Sequence, residues 1–171
     1  MHLSSQAIII ITVVFGGSFL LMIPFLIFNN KRKNKQALFI ENNKDKAILH
    51  LYADNPVIDG IKIKETNYIK GADLQYIAAL APGTHTISAK YTASSVGLGT
   101  NVNYKTPEAI TSEITLQAGH EYTLSVYFYS PEDRKAYYKG DVGEDVYTQV
   151  LDITGVLPTY TKAYIICYKE K

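Results

Sequence analysis

The side chains that could do chemistry are few and scattered. The four histidines are His2, His50, His85 and His120. No two of them stand at the i, i+4 spacing that sets a pair of imidazoles on one helix face, and none joins a cysteine in a zinc pattern. His50 and His85 fall in stretches that alternate like strands, the usual setting of a hydrogen-bonded histidine rather than a ligand. The single cysteine, Cys167 in YIICYK, shares a face with Ile165, while Ile166 and Tyr168 take the other. Nothing beside it in sequence would lower its pKa, so it reads as a small buried apolar residue and not as a nucleophile.

Glu132, Asp133, Asp141, Glu144 and Asp145 crowd the segment SPEDRKAYYKGDVGEDVY. Calcium takes about six to eight oxygens, and carboxylates at this density could supply some of them. The ligand spacing of the helix-loop-helix calcium loop is absent, so a solvated charged loop is the expectation. Gly97 and Gly99 in SVGLGTN are too close together for a dinucleotide fingerprint and read as a flexible loop tip. There is no Gly-x-Ser-x-Gly and no phosphate-binding glycine loop with Lys-Ser/Thr. The chain is expected not to be an enzyme and to need no cofactor.

The elements that carry these residues meet two solvents. From Leu3 to Asn30 there is no Asp, Glu, Lys or Arg. Ala7 to Phe28 is rich in Ile, Leu, Val and Phe, and ~22 residues at ~1.5 Å each reach ~33 Å, enough to cross a hydrocarbon core of ~30 Å. A cleaved signal peptide would need a basic start and a shorter apolar stretch. The expectation is an uncleaved transmembrane anchor over residues 1–30. Thr12 and Gly16 form a small-xxx-small pair, which membrane helices also carry without pairing.

Lys31, Arg32, Lys33 and Lys35 follow as an interfacial basic cluster. The positive-inside rule then favours a cytoplasmic domain, with an extracytoplasmic one as the alternative. Without that cluster the 17 bases fall to 13 against 16 acids, which is no footprint for nucleic acid. Residues 31–46 read as a basic and polar linker that starts a first strand at Leu38 to Ile40.

Residues 47–171 change to a period of two. AILHLYA, the Asp59-Gly60 turn between VI and IKI, THTISAKYTA, AITSEITLQAGHEYTLSVYFY, VYTQVLDI and TKAYIICYK give seven or eight short strands. With no persuasive helical period, the fold class expected is mainly β, an antiparallel β-sandwich. Ser94 to Glu108 reads as a long loop, and it joins the Tyr137-Tyr138 segment as the partner-binding candidate. The fourteen tyrosines suit strands. A sugar-stacking platform is the functional reading of them, and a packed core the plain one.

VIDGIKI, LAPGTHTISAKY and ITLQAGHEYTLSV together resemble PEGA-like and carboxypeptidase-regulatory-like (transthyretin-type) sandwich domains over about Ala47 to Tyr129. The Pro-Glu-Gly-Ala signature itself is missing, and NPVIDG stands in its place. LQAGHEYTLSV is also similar to the tyrosine corner of fibronectin type III domains, which would make Tyr122 a latch onto upstream backbone. Either likeness implies a binding or spacer module and carries no catalytic residue over. The functional expectation is a membrane-anchored module that binds a protein partner near the bilayer. The alternative is an outward-facing domain that binds carbohydrate or cell envelope, and calcium is a lesser ligand.

Overall fold

The computed structural model describes residues 28–97 and 100–171. The apolar stretch before Phe28, the Thr12/Gly16 pair and Gly99 lie outside those residues. Among the described residues no helix is long and apolar enough to cross a membrane. Among the described residues eleven strands form two sheets. The first sheet runs β10 (Asp145–Asp152), β11 (Lys162–Lys169), β9 (Glu121–Tyr127), β1 (Ala47–Leu51), β5 (Tyr76–Leu80) and β4 (Tyr68–Lys70). The second runs β3 (Ile61–Lys62), β2 (Ala53–Ile58), β6 (Gly83–Gly97) and β7 (Thr100–Lys105), and β8 (Ile110–Leu116) also pairs with β6.

Alternation sets which face each strand buries. In β6, Ile87, Ala89, Tyr91 and Ala93 point inward, while Thr84, Thr86, Lys90 and Thr92 are exposed. They meet Leu49, Leu51, Ala78, Leu124, Ile165 and Cys167 of the first sheet in one core shared by both layers. Asp59 and Gly60 close the β2–β3 hairpin with φ of 51° and 80°, the paired left-handed backbone that a two-residue turn of type I′ needs. The Asp59 carboxylate also accepts from Thr86 N–H at 2.8 Å and faces His85 Nδ1 at 2.6 Å. These bonds outweigh partial burial and hold the carboxyl below the usual aspartate value.

β1 is enclosed on every side. It pairs antiparallel with β5 and parallel with β9, and all five of its residues are buried. Its inward residues Ala47, Leu49 and Leu51 face the shared core. Ile48, on the other face, joins Ile69, Ile77 and Ala79 in a second apolar cluster. A helix, α1 (residues 28–41), covers that cluster with Phe39 and Ile40. Asn43 closes its end, donating to Phe39 O at 2.8 Å and accepting from Asn67 Nδ2 at 2.9 Å. Further back, Gln36 Oε1 accepts from Ala72 N–H at 3.3 Å, so the helix lies along the sheet from the β4–β5 turn to the start of β1.

Three segments differ from the sequence expectation. Residues 31–41 are helical and not an open linker, so Leu38 to Ile40 form the last turn of α1 and no strand. Lys, Arg, Gln, Ala and Leu are good helix formers, and no Gly or Pro interrupts them before Asn42. Ser94 to Glu108 is mostly the β6–β7 hairpin, with Thr92 to Gly97 laddered onto Thr100 to Lys105. The acidic segment after Tyr129 contains a short helix, α2 (Pro131–Tyr137). Resolving those pairings raises the strand count from the expected seven or eight to eleven.

Ile77 is fully buried between α1 and the first sheet, so Ile77→Ala should cost about 3 kcal/mol in urea unfolding. A loss below about 1 kcal/mol would mean that α1 does not seal that face. Asp59, with its lowered pKa, stabilises the fold fully above the ordinary aspartate range and loses that contribution as pH falls through its own value. Asp59→Asn keeps the turn chemistry, so its melting temperature should fall less steeply than the parent's on acidification in that range. An identical acid profile would remove the carboxylate from the account.

Candidate functional site: a tyrosine-lined recess under the second helix

α2 exists because its start is capped on both sides. Ser130 Oγ accepts from Asp133 N–H at 3.1 Å, Asp133 Oδ2 accepts from Ser130 N–H at 3.2 Å, and Pro131 occupies the first turn. This places Arg134 on the sheet side, where it is only 5% exposed. Its Nη1 donates to Asp145 Oδ1 at 2.5 Å, and its guanidinium lies over the Tyr168 ring at 3.6 Å from the centroid. The helix then delivers Tyr137 and Tyr138 outward, 82% and 49% exposed, in edge-to-face contact at 4.9 Å.

The floor under α2 is the outer face of the first sheet. Tyr127 and Tyr129 lie opposite the inward Leu124 and Val126, and Tyr164 and Tyr168 lie opposite Ile165 and Cys167. Tyr164 stands directly across from Tyr127 on the neighbouring strand, and the rings of Tyr127 and Tyr129 are 5.0 Å apart. A cleft of about 360 Å³ opens between Tyr129, Arg134, Tyr137 and Tyr138. A second, of about 350 Å³, lies on the far side of Arg134 and reaches Tyr168 and Lys171. The loop that walls it passes so close to β11 that a Cβ on Gly143 would meet Lys169 O at 1.7 Å. Only glycine fits there.

Burial, and then the neighbouring Tyr138, push the Tyr129 phenol up to about 12. Burial and Tyr168 raise Tyr127 as well. The recess therefore presents neutral tyrosine rings and hydroxyls beside the Asp133 carboxylate, which is taken up by the Ser130 cap, with Arg134 already balanced by Asp145. That chemistry suits stacking and hydrogen bonding and not proton transfer.

The structure brings some of the sequence candidates together. Tyr129, beside Tyr137 and Tyr138, also lines a recess with Ser94, Ser95 and Tyr160, so the base of the β6–β7 hairpin adjoins α2. Gly97 ends β6, away from that base. Tyr122 lies elsewhere, 1% exposed in the core, and its hydroxyl accepts from Gln117 N–H at 3.0 Å. The acidic residues are dispersed: Asp133 caps α2, Asp145 holds Arg134 and Asp141 pairs with Lys171. Among the described residues no group of three His, Cys, Asp or Glu side chains could hold a metal ion. His50 faces Glu121 at 3.0 Å, and burial pushes the Cys167 thiol up to about 12. Sequence reasoning passed over Tyr127, Tyr129, Tyr168 and Arg134. The alternation of β9 and β11 already set those tyrosines on the outer face, but nothing local marked Arg134.

Arg134→Met should destabilise the domain by about 3 kcal/mol, because it takes the buried hydrogen-bonded partner from Asp145 and leaves that carboxylate with only the exposed Lys135 Nζ at 4.0 Å. Adding Asp145→Leu should recover most of that loss. Urea midpoints that are additive across the two changes would show that the pair is not coupled. Comparison with family models, with curated proteins and with solved structures returned no match for this chain.

Proposed function

We propose that this chain is a membrane-anchored β-sandwich interaction module: Ala7 to Phe28 sits in the bilayer, and the domain binds a protein partner close to the membrane surface. The observation that carries the reading is the recess of Tyr129, Tyr137 and Tyr138 beside a buried arginine. Exposed tyrosines around a desolvated arginine have the composition of an interface hot spot. Tethering supports it, because confinement beside one surface raises effective concentration, and a modest contact then suffices. Lys31, Arg32, Lys33 and Lys35 favour the cytoplasmic side. The Asp59-Gly60, Pro82-Gly83 and Ala118-Gly119 turns support a PEGA-like module, a class used for binding and spacing.

A second reading, an outward-facing module for carbohydrate or cell envelope, draws support from the row of Tyr127, Tyr129, Tyr164 and Tyr168 on one sheet face. Half-buried tyrosine rings in a row offer stacking surface to a sugar.

A photo-crosslinking residue in place of Tyr137, in the full chain in cell membranes, tests both. One discrete protein adduct is expected there, absent from the exposed position Glu113 and lost in Tyr129→Ala. An adduct that collapses on glycosidase treatment, with a tag after Lys171 open to protease in intact cells, would favour the second reading. Equal adducts at both positions, or none at Tyr137, would sink the recess as a binding site.

A further inference from the structure

The end of the domain where the described part of α1 lies nearest the apolar stretch carries an apolar pair that the fold itself does not use. Phe28 and Leu74 are 65% and 62% exposed, and both line a cleft of about 580 Å³ with Asn29, Arg32, Ala72 and Asp73. Phe28 is the last residue of the apolar stretch, so whatever surface receives that stretch lies beside Leu74.

The turn that presents Leu74 is firmly built. Leu74 takes φ of 65°, a left-handed backbone that a leucine adopts only where its surroundings hold it. Gly71 O accepts from Leu74 N–H at 3.2 Å, Gln75 O accepts from Gly71 N–H at 2.9 Å, and the Gln75 side chain accepts from Asp73 N–H at 3.0 Å. Lys70 Nζ donates to Leu74 O at 3.1 Å. All this holds outward a side chain that is left largely in water. α1 is docked by Phe39, Ile40 and Gln36, so the turn travels with the helix to any surface the helix meets.

We propose that the β4–β5 turn is a second membrane contact: Leu74 and Phe28 sink together into the boundary between headgroups and acyl chains of the bilayer that takes Ala7 to Phe28. The inference rests on the anchored reading above. Charge agrees with it, because Arg32 lines the cleft and Lys70, at the end of β4, reaches the turn at Leu74 O, against Asp73 alone among acids in the cleft, while Lys31, Lys33 and Lys35 lie on the same helix as Arg32. Apolar residues rimmed by bases are the composition of an interfacial lipid contact. The domain is then held at two points and keeps one orientation to the membrane.

The test uses the full chain in phosphatidylcholine–phosphatidylserine vesicles, with an environment-sensitive fluorophore on Leu74→Cys, on Asp73→Cys in the same turn, or on Ala118→Cys at the opposite end. Cys167 is fully buried and stays unlabelled in the folded protein. The expected result is blue-shifted emission from the turn and several-fold stronger quenching by spin-labelled lipid there than at Ala118→Cys. Asp73→Cys gives the answer alone if Leu74→Cys does not fold. A water-like signal from the turn in vesicles that retain the chain through a carbonate wash overturns the inference and leaves the anchor standing. Release of the chain by that wash overturns both.

Discussion

The architecture depends on closing both faces of β1. A strand with neighbours on each edge has no polar backbone left to offer water, and all five of its side chains are buried, four of them apolar and His50 set against Glu121. One sheet can cover only one of those faces. The other has to be sealed from outside the strand layers, and α1 does it with Phe39 and Ile40 over Ile48, Ile69, Ile77 and Ala79. The helix is therefore a structural layer of the domain and not a tether hung from it. Segments that a sequence separates into linker and domain share one packing problem.

The same outer face is finished differently on its other half. Over β9 and β11 the cover is polar: a guanidinium on a tyrosine ring, held by a buried carboxylate under a helix of two turns. Such a pair adds little net stability over an apolar contact of equal volume, since desolvation offsets most of the attraction. Its effect is positional. It fixes where α2 lies, and so where Tyr137 and Tyr138 stand relative to Tyr129.

Features set by neighbouring residues were legible in the sequence. The period of two in THTISAKYTA, the Asp59-Gly60 turn and the inward Cys167 follow from local chemistry, and the backbone carries them as read. The helices were not. α1 has apolar cover only near its end, at Phe39 and Ile40, too little for a helical period to show. α2 is seven residues long, and its one local signal was Ser130 with Asp133 at capping distance. The β6–β7 hairpin hid behind polar residues and glycines that also suit a loop. The recess was beyond reach as a whole, because Tyr129, Arg134, Asp145 and Tyr168 come from four separate elements and meet only through long-range pairing.

That long-range pairing has a kinetic side. β1 joins β9 in parallel, and His50 reaches Glu121 across 71 positions of chain. At ribosomal speeds of about 5–20 residues per second, β1 waits on the order of 4 to 14 s for that neighbour to be synthesised. During the interval one edge of this fully buried strand is an open template for other nascent chains. α1 and β5, both close to β1 in sequence, are synthesised before β9 and are available to cover the remaining surface while the last edge stays unfilled. The order of synthesis thus makes helix cover a guard against misassembly before it becomes part of the finished fold.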